Sequence, residues 1–333
     1  MQHIAILGAG SWGTAIAKSL ADQGLPVRLW ARRAELAEAI QRTRQNPDYL
    51  PGHDLPASLA CTADLAEAVE QARAVYLVVP SHGLREVARE IRPSLGAGVP
   101  IVTASKGIEN ETLLLMSQVL SEELPEAADR VCALGGPSFS AEVATGQPTA
   151  VCIGGTDPGV TAEIQSELAT ERLRVYITDD LLGVEVGGAL KNVIAIAVGA
   201  SDGLGFGHNA RAALITRGLA EIMRLAVHLK AHPQTLAGLT GMGDLVLTCT
   251  GDLSRNRRVG LELGRGRKLS DVLGDMSMVA EGVKTAKSAH ALAQREGIDM
   301  PITAQVYAAL HEGKPPHDAV QSLLRRALRP ERD

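Results

Sequence analysis

The run Ile4-Ala5-Ile6-Leu7-Gly8-Ala9-Gly10-Ser11-Trp12-Gly13-Thr14-Ala15 decides the fold of this chain. A short apolar strand passes through a glycine-patterned turn into a helix. In such a turn Gly8 permits the tight bend, Gly10 lets the backbone approach a pyrophosphate, and Gly13 lets the helix pack on the strand. The helix's free N–H groups and positive dipole end then face the anion. Six residues matching G-x-G-x-x-G also describe an ordinary strand-to-helix turn, so the context has to separate the two readings. Here the motif follows an apolar strand, precedes a helical pattern, and is followed by a second strand, Val27-Arg28-Leu29-Trp30. That is the setting a dinucleotide seat requires.

Working outward, residues up to about 178 alternate strand-like and helical runs. Beyond the first two strands come Ser58 to Thr62, Val75 to Val79, Ile101 to Ala104, Val131 to Leu134, Ala150 to Ile153 and Leu173 to Ile177. Most are uncharged and continuous, as expected of strands covered on both faces. Helical runs such as Asp64 to Ala72, Leu84 to Ile91 and Pro158 to Leu168 separate several of them. This alternation predicts an α/β fold with a Rossmann-like, doubly wound, mainly parallel sheet. After Asp179-Asp180 strand-like runs almost vanish. Helices are expected over Leu181 to Ala200 and, capped by Asn209, over Asn209 to Lys230. The expected division is a dinucleotide-binding domain over 1–178 and an all-α C-terminal domain over 179–333, closing the site at the carboxyl ends of the strands.

Composition narrows the function. At 333 residues the chain is longer than one hydrophobic core usually supports. A net charge of -5 and a pI near 6.0 argue against a broad nucleic-acid surface, so any anion site must be local. Cys61, Cys132, Cys152 and Cys249 lie far apart without a CxxC pair, which indicates neither a zinc site nor a disulfide framework. Each is expected to act as a small buried apolar residue. No signal segment leads the chain and no apolar run looks long enough to cross a bilayer, which makes the cytoplasm the expected location.

An acid about twenty positions beyond the glycines usually reads the ribose 2′-OH of NAD. This chain has Ala31-Arg32-Arg33 there. Two guanidinium groups suit a 2′-phosphate, so NADP(H) is favoured and NAD(H) is possible; the bland alternative is a solvated helix start. Lys191 is the only charged residue from Val186 to Ala200, in a helix apolar or small all round. Buried there, it loses its proton, finds an anion, or snorkels to solvent. The first two outcomes suit acid/base work near neutral pH. Lys106 follows the strand Ile101 to Ala104, where ligands approach such sheets, and Gly135-Gly136-Pro137-Ser138-Phe139-Ser140 follows another. Asp244 is the only acid between Pro233 and Gly251, placed to accept from a substrate hydroxyl, to orient Lys191, or to cap a helix. Ser254-Arg255-Asn256-Arg257-Arg258 puts three guanidinium groups in five residues, a pattern that suits a phosphate in an acidic protein of nucleotide fold.

Taken in order, these motifs, with Ser105-Lys106-Gly107, Leu190-Lys191-Asn192, Gly241 to Thr248 and Val279-Ala280-Glu281-Gly282, resemble bacterial-type NAD(P)-dependent glycerol-3-phosphate dehydrogenase over nearly the whole chain. The resemblance implies an oxidoreductase that interconverts sn-glycerol 3-phosphate and dihydroxyacetone phosphate, a metal-free site, a homodimer, and a place in phospholipid precursor synthesis. By it, Lys191 is the proton donor and acceptor, with Lys106 and Asp244 completing the catalytic group. Lys106, Gly136, Ser138, Asp244, Ser254, Arg255 and Asn256 would hold the substrate, with Asn192 and Thr248 close by. Besides the three glycines, Ser11, Trp12, Arg32, Arg33, Lys106, Ser140, Arg255, Val279 and Glu281 would contact the cofactor. Two rivals use the same fold: a related two-domain hydroxy-acid dehydrogenase, which would not need the Arg255 cluster, and a non-catalytic NADPH sensor, which would not need Lys191.

Overall fold

The structure, a computed structural model, describes residues 2–276, 279–328 and 330–331. Met1, Arg332 and Asp333, at the outer ends of the two expected domains, lie outside the described residues. The first half runs β1 (His3–Leu7), α1 (Ser11–Asp22), β2 (Val27–Trp30), α2 (Ala34–Thr43), β3 (Leu59–Thr62), α3 (Leu65–Val69), β4 (Ala72–Leu77), α4 (Leu84–Ile91), β5 (Ile101–Thr103), α5 (Met116–Glu123), β6 (Val131–Gly135), α6 (Ser140–Ala144), β7 (Thr149–Gly155), α7 (Pro158–Leu168) and β8 (Leu173–Thr178). The second half is helical: α8 (Leu181–Gly203), α9 (His208–His228), α10 (Pro233–Ala237), α11 (Asp244–Thr250), α12 (Arg255–Gly264), α13 (Leu269–Gly274), α14 (Glu281–Glu296), α15 (Pro301–His311) and α16 (Pro316–Leu324). A π-helical turn, Leu239–Gly243, leads into α11.

The strands form one sheet in the order β3-β2-β1-β4-β5-β6-β7-β8. All neighbours are parallel except β6 and β7, in register Cys132↔Gly155. The order reverses between β1 and β4, and their pairing Leu7↔Leu77 brings both carboxyl ends to one crevice. One apolar layer, with Ile16, Leu20, Ile40 and Ile164, covers one face of the sheet, and a second, with Leu65, Leu84, Ile91 and Leu120, covers the other. Burial on both faces is why the strands are continuously apolar.

Gly8 and Gly13 are where the turn needs glycine. Gly8 has φ +126, and a Cβ on it would lie 2.5 Å from the Val78 carbonyl oxygen; one on Gly13 would lie 1.9 Å from the Gly8 carbonyl oxygen. Strand, turn and helix therefore meet backbone to backbone.

Helix α8 is the axis of the second half, with α9, α11, α12 and α14 packed around it. Residues 183–196 are buried without a break. By length and composition Leu181–Gly203 is apolar enough to cross a membrane, contrary to expectation, but 83% of its most apolar window lies inside the fold. Its apolarity is that of a helix surrounded by helices.

Three local expectations also need correcting. Of Asp64 to Ala72, only Leu65–Val69 is helical: Asp64 caps it by accepting from the Glu67 N–H, and Ala72 already pairs with β1. The cap of α9 is Gly207, not Asn209, which lies exposed in the first turn. Of the cysteines, Cys132, Cys152 and Cys249 are buried, but Cys61 on the edge strand β3 is half-buried.

Candidate active site

Lys191 sits at the middle of α8, 7% exposed. Its Nζ donates to Asp244 Oδ1 and to Thr248 Oγ1, the latter at 2.9 Å. Lys106 Nζ donates to the other oxygen, Asp244 Oδ2, at 2.8 Å. Asp244 is 1% exposed and opens α11, so one carboxylate from the helical half holds two ammonium groups from different parts of the chain. Thr248, one turn later, donates to the Asp244 carbonyl at 2.6 Å, which aims its lone pairs at Lys191.

The electrostatics follow from burial. Loss of water pulls the Lys191 ammonium down to about 7, with Lys106 adding repulsion and Asp244 opposing both. Burial pushes the Asp244 carboxyl up, but the two ammonium groups outweigh it and hold the group below its ordinary value. Lys191 is therefore poised to give or take a proton at neutral pH. Lys106 lies against α8 where Gly188 lacks a side chain: a Cβ there would stand 3.6 Å from the lysine stem.

Next to Lys191, Asn192 Oδ1 accepts from Asn256 Nδ2 at 2.9 Å, and Asn256 Oδ1 accepts from the Gly282 N–H at 3.0 Å. Asn256 thus ties α12 to α8 and α14 and keeps one amide N–H uncommitted among the described residues. Ser254 caps α12 by accepting from the Arg257 N–H. Arg255 makes no hydrogen bond among the described residues and reaches solvent, although surrounding protein lowers its proton affinity and Glu281 partly restores it. Arg257 does not belong to a phosphate-binding cluster. Its guanidinium is bound twice to Asp202 Oδ2, at 2.9 and 3.0 Å, and once to Asp252.

The other expected residues lie at carboxyl ends of parallel strands or opposite them. Gly136 and Ser138 follow β6, Ser138 Oγ donating to the Gly136 carbonyl at 3.0 Å, and Ser140 begins α6 without a polar side-chain contact among the described residues. Glu281 begins α14 and accepts from Ser81 Oγ at 2.8 Å, a link across the cleft to the segment after β4; Val279 just before it is exposed. Ser11 Oγ donates to the Tyr49 carbonyl at 2.7 Å, and Trp12 is half-buried against Leu50, Val143 and Ala144. Arg32 and Arg33 are exposed after β2, and Arg33 pairs with Asp48. Ser140, Arg32 and Arg33 make no polar contact with the lysine cluster.

The turn after β1 fits a dinucleotide. The first turn of α1 carries no acid, no side chain caps its N–H groups, and a Cβ on Gly10 would meet nothing within 4 Å. A pyrophosphate has donors and space there.

Residues 3–161 match the N-terminal domain and residues 180–321 the C-terminal domain of NAD-dependent glycerol-3-phosphate dehydrogenase. The chain belongs to this family. A glycerol-3-phosphate dehydrogenase [NAD(P)+] of Geobacter sulfurreducens is 55% identical over 332 residues, 99% of each chain. One of Myxococcus xanthus is 54% identical over 322 residues, 96% of each. The crystal structure of a glycerol-3-phosphate dehydrogenase from Coxiella burnetii, 42% identical, superposes with a TM-score of 0.94 over 98% of this chain and 99% of that one.

Some supports of this dehydrogenase-family site carry no signal in the sequence. Asn46 is fully buried, and its Nδ2 donates to the Ala9 carbonyl at 2.9 Å and to Thr14 Oγ1 at 2.8 Å, bracing the glycine turn from outside. Glu185 on α8 accepts from the Ser117 N–H and hydroxyl at the start of α5. It thereby fastens the segment after Lys106 to the helix that carries Lys191. Burial pushes its carboxyl up to about 7.

Proposed function

We propose that this protein interconverts dihydroxyacetone phosphate and sn-glycerol 3-phosphate with NAD(P)H, with NADPH favoured, and supplies glycerol 3-phosphate for glycerophospholipid synthesis. The observation that carries the proposal is Lys191: a buried amine held by Asp244 and Thr248 beside Lys106, its acidity tuned to about 7. The names of the relatives agree with it.

A nicotinamide cofactor, which the turn at Gly8 to Gly13 would hold by its pyrophosphate, would supply the hydride exchanged at C2 of the substrate. The chain's residues do the rest. In reduction the Lys191 ammonium stabilises the charge developing on the C2 oxygen and delivers its proton there; in oxidation neutral Lys191 removes that proton. Asp244, almost inaccessible, acts by holding both lysines rather than by meeting the substrate. Lys106, with its side chain 20% exposed, reaches substrate oxygens from the sheet side. Arg255 is free to meet the phosphate, with the remaining N–H of Asn256 beside it; the loop at Gly136 and Ser138 closes the opposite wall. The working unit on this reading is a homodimer in the cytoplasm, with a sedimentation run as the check on its size.

Lys191→Ala tests the assignment. It should lose nearly all kcat while NADPH still binds. An active Lys191→Ala enzyme would refute the role of Lys191.

A further inference from the structure

The residue after β2 that reads a ribose 2′-OH in NAD-specific folds is an acid, and this chain has none there. The structure supplies one from elsewhere. Asp48 lies on the connection between α2 and β3 and forms an ion pair with Arg33 through Oδ2. Its position is set by buried contacts. Asn46 is anchored on Ala9 and Thr14 of the pyrophosphate turn, its Oδ1 accepts from the Tyr49 N–H at 3.1 Å, and Leu50 is buried. Tyr49 in turn accepts from Ser11 through its carbonyl, and the Arg33 guanidinium stands 5.9 Å from the centre of the Tyr49 ring. Asp48 is therefore carried by a braced loop at the place where the ribose of a dinucleotide lies in this fold.

We propose that Asp48 is a specificity-determining residue that balances NADH against NADPH. The inference rests on the dinucleotide reading above. Asp48 Oδ1 has no hydrogen-bond partner among the described residues, so it can accept from a ribose 2′-OH while Oδ2 keeps Arg33. A 2′-phosphate meets the opposite situation. Arg32, with no polar partner among the described residues, is available to it, but Arg33 is already ion-paired with Asp48, and that carboxylate repels the phosphate. One pair of side chains thus makes the ribose site tolerate both cofactors. Neither Asp48 nor Arg33 is buried, so replacing them leaves the fold intact.

The test is a fluorescence titration of substrate-free enzyme with NADPH and with NADH, on wild type, Asp48→Asn and Arg33→Ala. An exposed, charge-assisted contact supports effects of about threefold to tenfold. Asp48→Asn should tighten NADPH and weaken NADH by about that factor each, and Arg33→Ala should weaken NADPH while leaving NADH within about twofold. If wild type binds both cofactors and Asp48→Asn leaves both dissociation constants within about twofold, the role of Asp48 is refuted and the dinucleotide site stands. If wild type binds neither, the dinucleotide reading falls and this inference with it.

Discussion

Asp244→Asn is the perturbation that interrogates the site most sharply, because it keeps the shape and removes the charge shared by two lysines. In the native site burial lowers the Lys191 ammonium, Lys106 lowers it further, and Asp244 is the group that raises it, the balance standing at about 7. A carboxylate in direct contact with a cation supports it by about one to three pH units. With only an amide there, Lys191 should lose its proton at about pH 4 to 6, and the ammonium population at neutral pH should fall about fivefold to five-hundredfold. Reduction of the ketone consumes the ammonium form, so wild-type kcat/KM for reduction should be full below about 7 and decline above it. Oxidation needs the neutral form and should rise through the same pH. In Asp244→Asn the break in the reductive profile should move to lower pH, with reduction at neutral pH down about fivefold to five-hundredfold. The assay is the pH dependence of kcat/KM, followed by the absorbance of the reduced nicotinamide, in both directions. A reductive profile that breaks at the same pH in both enzymes would refute the reasoning.

Four further outcomes follow from the same contacts. Arg255→Ala should raise KM for dihydroxyacetone phosphate, whereas Arg257→Ala, which removes one of the two arginines on the buried Asp202 carboxylate and leaves Arg211 on its other oxygen, should cost about 1–2 kcal/mol of stability in a denaturant titration and leave that KM nearly unchanged. Gly13→Ala drives a Cβ into the Gly8 carbonyl, so it should lower the melting temperature and abolish NADPH binding in a fluorescence titration. Glu185→Ala leaves the N–H and hydroxyl of Ser117 unpaired and should destabilise by about 1–3 kcal/mol in the same denaturant titration, with Glu185→Gln milder. The Glu185 carboxyl rises from 4.5 to about 7 on folding, so the folded state binds more protons between those values. Its contribution is therefore present below 4.5 and is lost as pH rises towards 7, a slope that Glu185→Gln should remove from stability measured against pH.

How much of this was legible in the sequence depends on whether the cause is local. Helix α7 has readable borders because Asp157 accepts from Gly159 and Val160 N–H groups and Pro158 takes the first helical position. Strand β2 and helix α4 are equally clear from their apolar patterns. The start of α9 is not, since Gly207 caps it without a side-chain hydrogen bond and the nearby Asn209 offers a stronger but unused signal. In the site, Lys191 stands out because a single charge interrupts an apolar helix, and Asp244 because no other acid is near it in the chain. The pairing of Asp244 with Lys191 spans 53 residues and that with Lys106 spans 138, and neither leaves a local trace. Arg257 shows the limit of reading clusters: next to Arg255 it looks like a second phosphate ligand, but Asp202, on another helix, has already claimed it. Asp48 and Asn46 are invisible for the same reason, because a loop after α2 becomes part of the cofactor seat only once the chain has folded back on its first turn.

The most direct test of the whole account is the initial rate of NADPH oxidation by the wild-type enzyme with dihydroxyacetone phosphate, set beside the rate with unphosphorylated dihydroxyacetone. The account predicts rapid turnover that depends on the phosphate. No turnover with the phosphorylated ketone, or equal rates with and without the phosphate, would contradict it.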